Sequence, residues 1–85
     1  MKFEIAWPEY VLNQMAKLDR SIAKRIFKAV GKLENDPSRW VNRIVNSPYY
    51  KMRVGDYRVI LDIQGRQLRI LVVKVGHRKN VYKDL

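Results

Sequence analysis

The apolar residues of this chain change period once, and that change limits the fold more than any other feature. Past a short alternating stretch at the start they recur at helical spacing up to residue 33, and beyond Pro48 they recur at every second position. Helices followed by a run of strands form an α+β arrangement, with the helices gathered on one side of the sheet.

The first residues of Lys2-Phe-Glu-Ile-Ala-Trp7 alternate as a half-buried strand does. Pro8 fits the first turn of a helix, where its missing N–H costs nothing. Val11, Leu12, Met15 and Leu18 then predict a short amphipathic helix over 8–18. Asp19 or Ser21 can cap a second helix. Its stripe is Ile22, Ile26, Val30 and Leu33, widened by Phe27 and Ala29, and Asn35-Asp36-Pro37 ends it. So short a connection sets the two helices antiparallel. Residues 38–48 read as a loop with a helical turn near Trp40, anchored to the core by Trp40, Val41 and Ile44.

In the second half, Lys51 and Arg53 alternate with Met52 and Val54, and Gly55-Asp56 is a turn signal. Tyr57, Val59, Leu61 and Ile63 fall on one face, with Arg58, Ile60 and Asp62 on the other. Gly65 marks a second turn, and the largely apolar Leu68–Val75 suits a strand inside the sheet. Gly76–Leu85 reads as a polar tail carrying Val81 and Tyr82. Turns this short permit only an antiparallel meander. The expected architecture is α+β in one domain over residues 1–85. An N-terminal strand and two antiparallel helices pack on an antiparallel sheet that ends in a three-stranded meander.

Charge narrows the function. Eighteen Lys and Arg stand against eight Asp and Glu, a net charge of +10. The excess lies in the second half: residues 1–38 hold seven basic and five acidic side chains, residues 39–85 eleven and three. A field of this sign attracts polyanions such as nucleic acid, an anionic surface or an acidic protein. The chain has no cysteine, so neither disulfides nor thiolate metal sites are expected. No leader segment is visible, and apolar runs such as Ile70–Val73 are too short to span a bilayer. A cytoplasmic protein without membrane association is expected.

On the face opposite the core, Lys51, Arg53 and Arg58 should gather with residues that follow the last strand: His77, Arg78, Lys79 and Tyr82. Asp56 and Asp62 stand alone, so metal-dependent chemistry is not expected, and nothing implies a cofactor. His77 is the only histidine and has no nucleophilic partner pattern beside it. Lys24, Arg25, Lys28 and Lys32 form a basic run on the outer face of the second helix, either a solvated surface or an RNA contact. Trp7, Trp40 and Tyr57 are read as packing residues.

The run Tyr50-Lys-Met-Arg-Val-Gly-Asp-Tyr-Arg58-Val-Ile, followed by Val75-Gly-His-Arg78-Lys-Asn-Val-Tyr82, resembles the RelE/ParE toxin superfamily across nearly the whole chain. The resemblance to RelE-type members implies cleavage of messenger RNA in the ribosomal A site and neutralisation by a cognate antitoxin. It implies catalytic roles for Lys51, Arg53, Arg58, Arg78 and Tyr82. His77, Lys79, Lys28 and Lys32 are expected to contact messenger or ribosomal RNA. Arg53 stands where the family often has lysine, and arginine keeps its proton, so it can stabilise charge but not act as a base. Lys51 is a candidate base, because like charges around an ammonium favour its neutral form. Tyr82 is a second candidate base or a stacking platform, and His77 or Arg78 a candidate acid. Two alternatives stay open: a ParE-like toxin that inhibits gyrase, and a non-catalytic basic module that binds nucleic acid.

Overall fold

The computed structural model describes residues 2–83. Its elements, in chain order, are β1 (Glu4–Ala6), α1 (Glu9–Ala16), α2 (Arg20–Gly31), β2 (Asn42–Arg43), β3 (Tyr50–Val54), β4 (Tyr57–Gln64) and β5 (Arg69–His77). The strands form one sheet in the order β1-β5-β4-β3-β2. Helices and meander are those expected, but the sheet departs in two ways from the antiparallel one expected. The sheet is mixed, because β1 runs parallel to β5 through Glu4↔Arg69, Ile5↔Ile70 and Ala6↔Leu71. A fifth strand, β2, pairs with β3 through only Asn42↔Lys51 and Arg43↔Tyr50. Among the described residues no helix is long and apolar enough to cross a membrane.

One face of the sheet carries the core. Val11 and Met15 of α1 and Ile26 and Val30 of α2 pack with Met52, Val54, Val59, Leu61, Ile70, Val72 and Val75 of the strands. Burying aliphatic side chains of this size contributes about 1.5–3 kcal/mol each, as an upper estimate. Asp19 precedes α2 without a side-chain capping bond. Its carbonyl instead receives the Ala23 N–H at 2.9 Å. Trp7 stacks obliquely on Phe27, with ring centroids 4.6 Å apart, and belongs to the core's edge. Val41 also packs on the core, but Trp40 does not: it is 41% exposed, with Lys32 and Arg39 about its ring, and is no anchor.

β5 contains a bulge. Ile60 pairs with Lys74 and Leu61 with Val72, leaving Val73 as the extra residue. β1 covers β5 only as far as Leu71, so the bulge lies on an open edge. Helix α1 covers that edge with side chains one turn apart. The Tyr10 hydroxyl donates to the Val73 carbonyl, and Gln14 Oε1 accepts the Val75 N–H at 3.2 Å. Backbone groups that lack a strand partner are thereby satisfied.

Beyond β5 the chain does not trail off as a polar tail. His77 O accepts the Asn80 and Val81 N–H groups at 2.9 and 3.0 Å, closing a turn. This turn folds back over the sheet face opposite the helices. The Arg78 N–H donates to Asp56 O at 2.9 Å, and Lys74 Nζ to Lys83 O at 2.8 Å. Val81 is 1% exposed, and its Cβ would lie 3.3 Å from a Cβ placed on Gly76. Fully buried Ile60 belongs to this face, outside the helix-side cluster. Asp84 and Leu85, the end of the expected tail, lie outside the described residues.

Two outcomes test these contacts. Gln14→Leu keeps the volume but strips the Val75 N–H of its acceptor, and should cost about 1–3 kcal/mol. A fall in the urea midpoint with an unchanged slope would register it. Gly76→Val should force the Val81 turn off the sheet at a cost of about 1–3 kcal/mol. Hydrogen exchange should then quicken at the Val81 and Lys83 amides before it does in β4.

Candidate functional site

The site is built around the hairpin between β3 and β4. Val54 pairs with Tyr57, so the loop is the two residues Gly55-Asp56. Gly55 has φ 59° and Asp56 is not left-handed, the pattern of a II′ turn with glycine first. The pair that closes such a loop is hydrogen-bonded, and the next pair is not. That next pair is Arg53↔Arg58. In a non-hydrogen-bonded pair the Cα atoms stand only ~4.5 Å apart and the side chains are at their closest. Like charges placed there repel and weaken the sheet.

Both arginines project from the face opposite the helices, since their strand neighbours Met52, Val54 and Val59 enter the core. Arg58 is half-buried and held: its Nη1 donates to Gly55 O and to Tyr57 O, each at 3.0 Å. Arg53 is exposed. Neither forms an ion pair with a carboxylate among the described residues. Two further arginines approach the same turn. Arg78 lies with Nη1 3.9 Å from the Asp56 carboxylate, both side chains more than half exposed, so the pair orients more than it stabilises. The Arg25 guanidinium from α2 comes within 3.1 Å of where a Cβ on Gly55 would stand.

Lys51, two residues before Arg53, shares its face. Its Nζ lies 5.9 Å from the centre of the Tyr82 ring, which the C-terminal turn carries back across the sheet and leaves 40% exposed. The five residues Lys51, Arg53, Arg58, Arg78 and Tyr82 thus come from β3, β4 and the C-terminal turn to one side of the molecule.

The other expected residues lie elsewhere. His77 pairs with Tyr57, which packs on the core, so its ring is on the helix side of β5 and turned away from Arg58. It meets Tyr57 edge-on at 5.7 Å, and its Nδ1 accepts the Lys79 N–H at 3.3 Å. Lys79 is exposed in the C-terminal turn. Lys28 and Lys32 line a separate groove between α2 and β3, which Arg53 also borders. Among the described residues no three of His, Cys, Asp and Glu gather as a metal site would require.

Three contributors escaped the sequence reading. Asp56, set aside as an isolated carboxylate, fixes Arg78 through its carbonyl and its side chain. The sequence signal for this role is its place in a Gly-Asp turn beside Arg58. Lys74, directly opposite Ile60, ties down the end of the C-terminal turn. Arg25 reaches the hairpin from a helix position that sequence spacing alone cannot relate to β3.

Comparison with known proteins agrees with this fold. Residues 5–82 match the family described as the ParE toxin of type II toxin–antitoxin systems, parDE. A protein of Escherichia coli named as a RelE-like toxin is 28% identical over 82 residues, spanning 93% of this chain and 86% of that one. The fold is similar to the toxin–antitoxin complex RelBE2 of Mycobacterium tuberculosis, with TM-score 0.80, 21% identity, and coverage of 92% of this chain and 100% of the other. It is also similar to the archaeal RelE–RelB complex of Pyrococcus horikoshii, with TM-score 0.79, 22% identity, and coverage of 95% and 100%. A variant of the E. coli toxin RelE in the free state gives TM-score 0.78 at 19% identity, with coverage of 93% and 86%. The chain therefore belongs to the ParE toxin family of type II toxin–antitoxin systems, within the RelE/ParE superfamily that its residues resemble.

Proposed function

We propose that this toxin is a metal-independent endoribonuclease that cuts messenger RNA in the ribosomal A site and so stops translation. One observation carries the reading: Arg53, Arg58 and Arg78 gather at the Gly55-Asp56 turn, and Lys51 stands beside Tyr82 on the same side of the sheet. A constellation of cations and a phenol, with no clustered carboxylates among the described residues, suits attack by the ribose 2′-hydroxyl on the adjacent phosphodiester.

In such a reaction the 2′ oxygen bonds to phosphorus while the bond to the 5′ oxygen breaks. The products are a 2′,3′-cyclic phosphate and a 5′-hydroxyl. Negative charge builds on the non-bridging oxygens at the five-coordinate stage. Arg53 and Arg58, opposed across the hairpin, present forked donors to those oxygens, and their charges need no reorganisation when the charge develops. Arg58 is the better fixed of the two, since two carbonyls already orient it. Lys51 takes the 2′-hydroxyl proton, or Tyr82 does so from beside it. A Tyr82 that stacks on a base instead would hold the nucleotide and leave the proton to Lys51. Arg78 meets the negative charge on the departing 5′ oxygen, which takes its proton from water to leave as the 5′-hydroxyl. His77 faces the other side of β5, so its part is to shape the turn that carries Arg78 and Lys79.

Messenger RNA and ribosomal RNA are the partners of this activity, and the cytoplasm is where it operates. The similar solved structures include toxin–antitoxin complexes, RelE with RelB among them. A cognate antitoxin for this chain would carry acidic side chains and apolar anchors, and would cover or distort the basic face.

A second reading has one specific support, the ParE description of the matching family. A gyrase-directed toxin acts through protein contact and leaves Arg53, Arg58 and Lys51 without a common task. The readings separate on transcripts and DNA topology in cells expressing the chain. Cuts within translated codons are expected, and intact transcripts with broken or relaxed DNA would establish the gyrase reading instead. A chain without toxicity would be the non-catalytic binding module. In vitro, the purified protein should cut messenger RNA when ribosomes are present and leave a 2′,3′-cyclic phosphate. Arg58→Ala and Arg78→Ala should each slow cutting at least ~100-fold, the loss typical of removing a transition-state donor. Their circular dichroism should not change. Arg53→Gln should show a trade-off. Relief of like-charge repulsion raises stability by about 0.2–1 kcal/mol while cutting falls.

A further inference from the structure

The groove between α2 and the outer edge of β3 has Arg25, Lys28, Lys32, Trp40 and Arg53 among its lining residues, beside the apolar Met52 and Val54, with a volume of about 370 Å³. Among the described residues no carboxylate lines it. We propose that this groove is a second RNA-binding track, in which a base of a single-stranded segment stacks on Trp40 and its phosphates lie against Lys28, Lys32 and Arg25. This inference rests on the reading of RNA as the substrate, and it extends the bound strand beyond the position that is cut.

Three observations converge on it. Trp40 is 41% exposed, although indole is among the side chains a fold gains most by burying. What surrounds the ring is cationic: Lys32 Nζ lies 5.0 Å and the Arg39 guanidinium carbon 5.6 Å from its centre. Flexible cations over an exposed indole can move aside for a base and then pair with its phosphate. The cations along α2 are also in phase. Arg25 and Lys28 of α2, and Lys32 in the 3-10 turn that continues it, recur at three- and four-residue spacing on one face, with Lys28 and Lys32 ~6 Å apart along the axis. A row of positive charge beside an aromatic platform is how proteins hold single strands without reading their sequence.

The floor of the groove adds a backbone donor. β2 pairs with β3 only at Tyr50 and Lys51, so among the described residues the outer edge of Met52–Val54 has no strand beside it. Arg53 belongs to a pair that is not hydrogen-bonded to β4, so its N–H points outward, into this groove. Arg53 therefore faces two ways. Its side chain is opposite Arg58 in the cutting site, and its backbone borders the groove. A strand leaving the site past Arg53 would enter the groove directly.

The test uses the full chain and a 12-nucleotide 2′-O-methyl RNA, which cannot be cut by 2′-hydroxyl attack. Binding should quench the fluorescence of the exposed Trp40, and Trp40→Phe should abolish most of that quenching. Trp40→Ala should weaken binding about 10-fold, within the range for one base stacked on an aromatic ring. Lys28→Ala/Lys32→Ala should make the dependence of log K on log salt shallower by about 1.4, or about 0.7 for each phosphate no longer neutralised. Trp40→Phe, which keeps a stacking face, should retain most of the affinity, so that a loss in Trp40→Ala is not mistaken for misfolding. Absence of quenching, an unchanged salt slope, or quenching by poly-glutamate and not by RNA would overturn the inference. Ribosome-dependent cutting read in parallel keeps the two readings apart. Cutting without quenching removes the groove alone, and quenching without cutting removes the nuclease alone.

Discussion

Two guanidinium groups opposed on neighbouring strands repel each other, and the arrangement of this molecule follows from holding them there. The fold itself gains nothing from Arg53 facing Arg58. Directly opposite like charges cost roughly 0.2–1 kcal/mol. The pair stays because the same strands send Met52, Val54 and Val59 into the core, and a one-residue slip would reverse all of them together. Apolar burial on one face thus fixes charge placement on the other. The II′ turn completes the constraint, since Gly55 at φ 59° lets β3 return as β4 with no residue to spare.

The same logic explains the C-terminal turn. An open sheet face with a buried isoleucine at its centre needs a cover, and Val81 and the turn supply one with little material. Gly76 is part of the fit, because a Cβ there would meet Val81 at 3.3 Å. Lys74 and Asp56 hold the turn at its two ends, through Lys83 O and the Arg78 N–H. The cover then has a second consequence: it delivers Tyr82 to Lys51 and Arg78 to the hairpin. Packing and site assembly are one event at this end of the chain.

How much of this is legible in the sequence depends on how local the signal is. Lys51, Arg53 and Arg58 are legible because a period of two and a two-residue turn fix their face without reference to the rest of the chain. β2 is not, since Asn42-Arg43 is exposed, polar and two residues long, and leaves no hydropathy trace. His77 shows the limit best. Counting by twos from the buried Ile70 and Val72 sets residue 77 on the open face, beside Arg58. The bulge at Val73 inserts one residue, so Val75 rather than Lys74 enters the core and His77 lands on the helix side. No local pattern in Leu71-Val72-Val73 announces the insertion. It is fixed by Tyr10 and Gln14, some sixty residues away. Trp40 fails for another reason: hydropathy treats tryptophan as a core residue, whereas here it stands among cations.

The charge that would grip RNA also sets the terms on which the free toxin exists. At a net charge of +10 on 85 residues, the folded state concentrates positive potential that the unfolded chain spreads out. A domain of this size has a thin stability margin to begin with. A ligand that binds the folded form alone raises its stability by RT ln(1 + [L]/Kd), about 2.7 kcal/mol at a hundredfold excess over Kd. Any polyanion that covers the open face therefore both blocks it and steadies the fold beneath it. On the proposed function, RNA and an acidic antitoxin compete for one surface and stabilise the same conformation, so inhibition by the antitoxin requires no unfolding of the toxin.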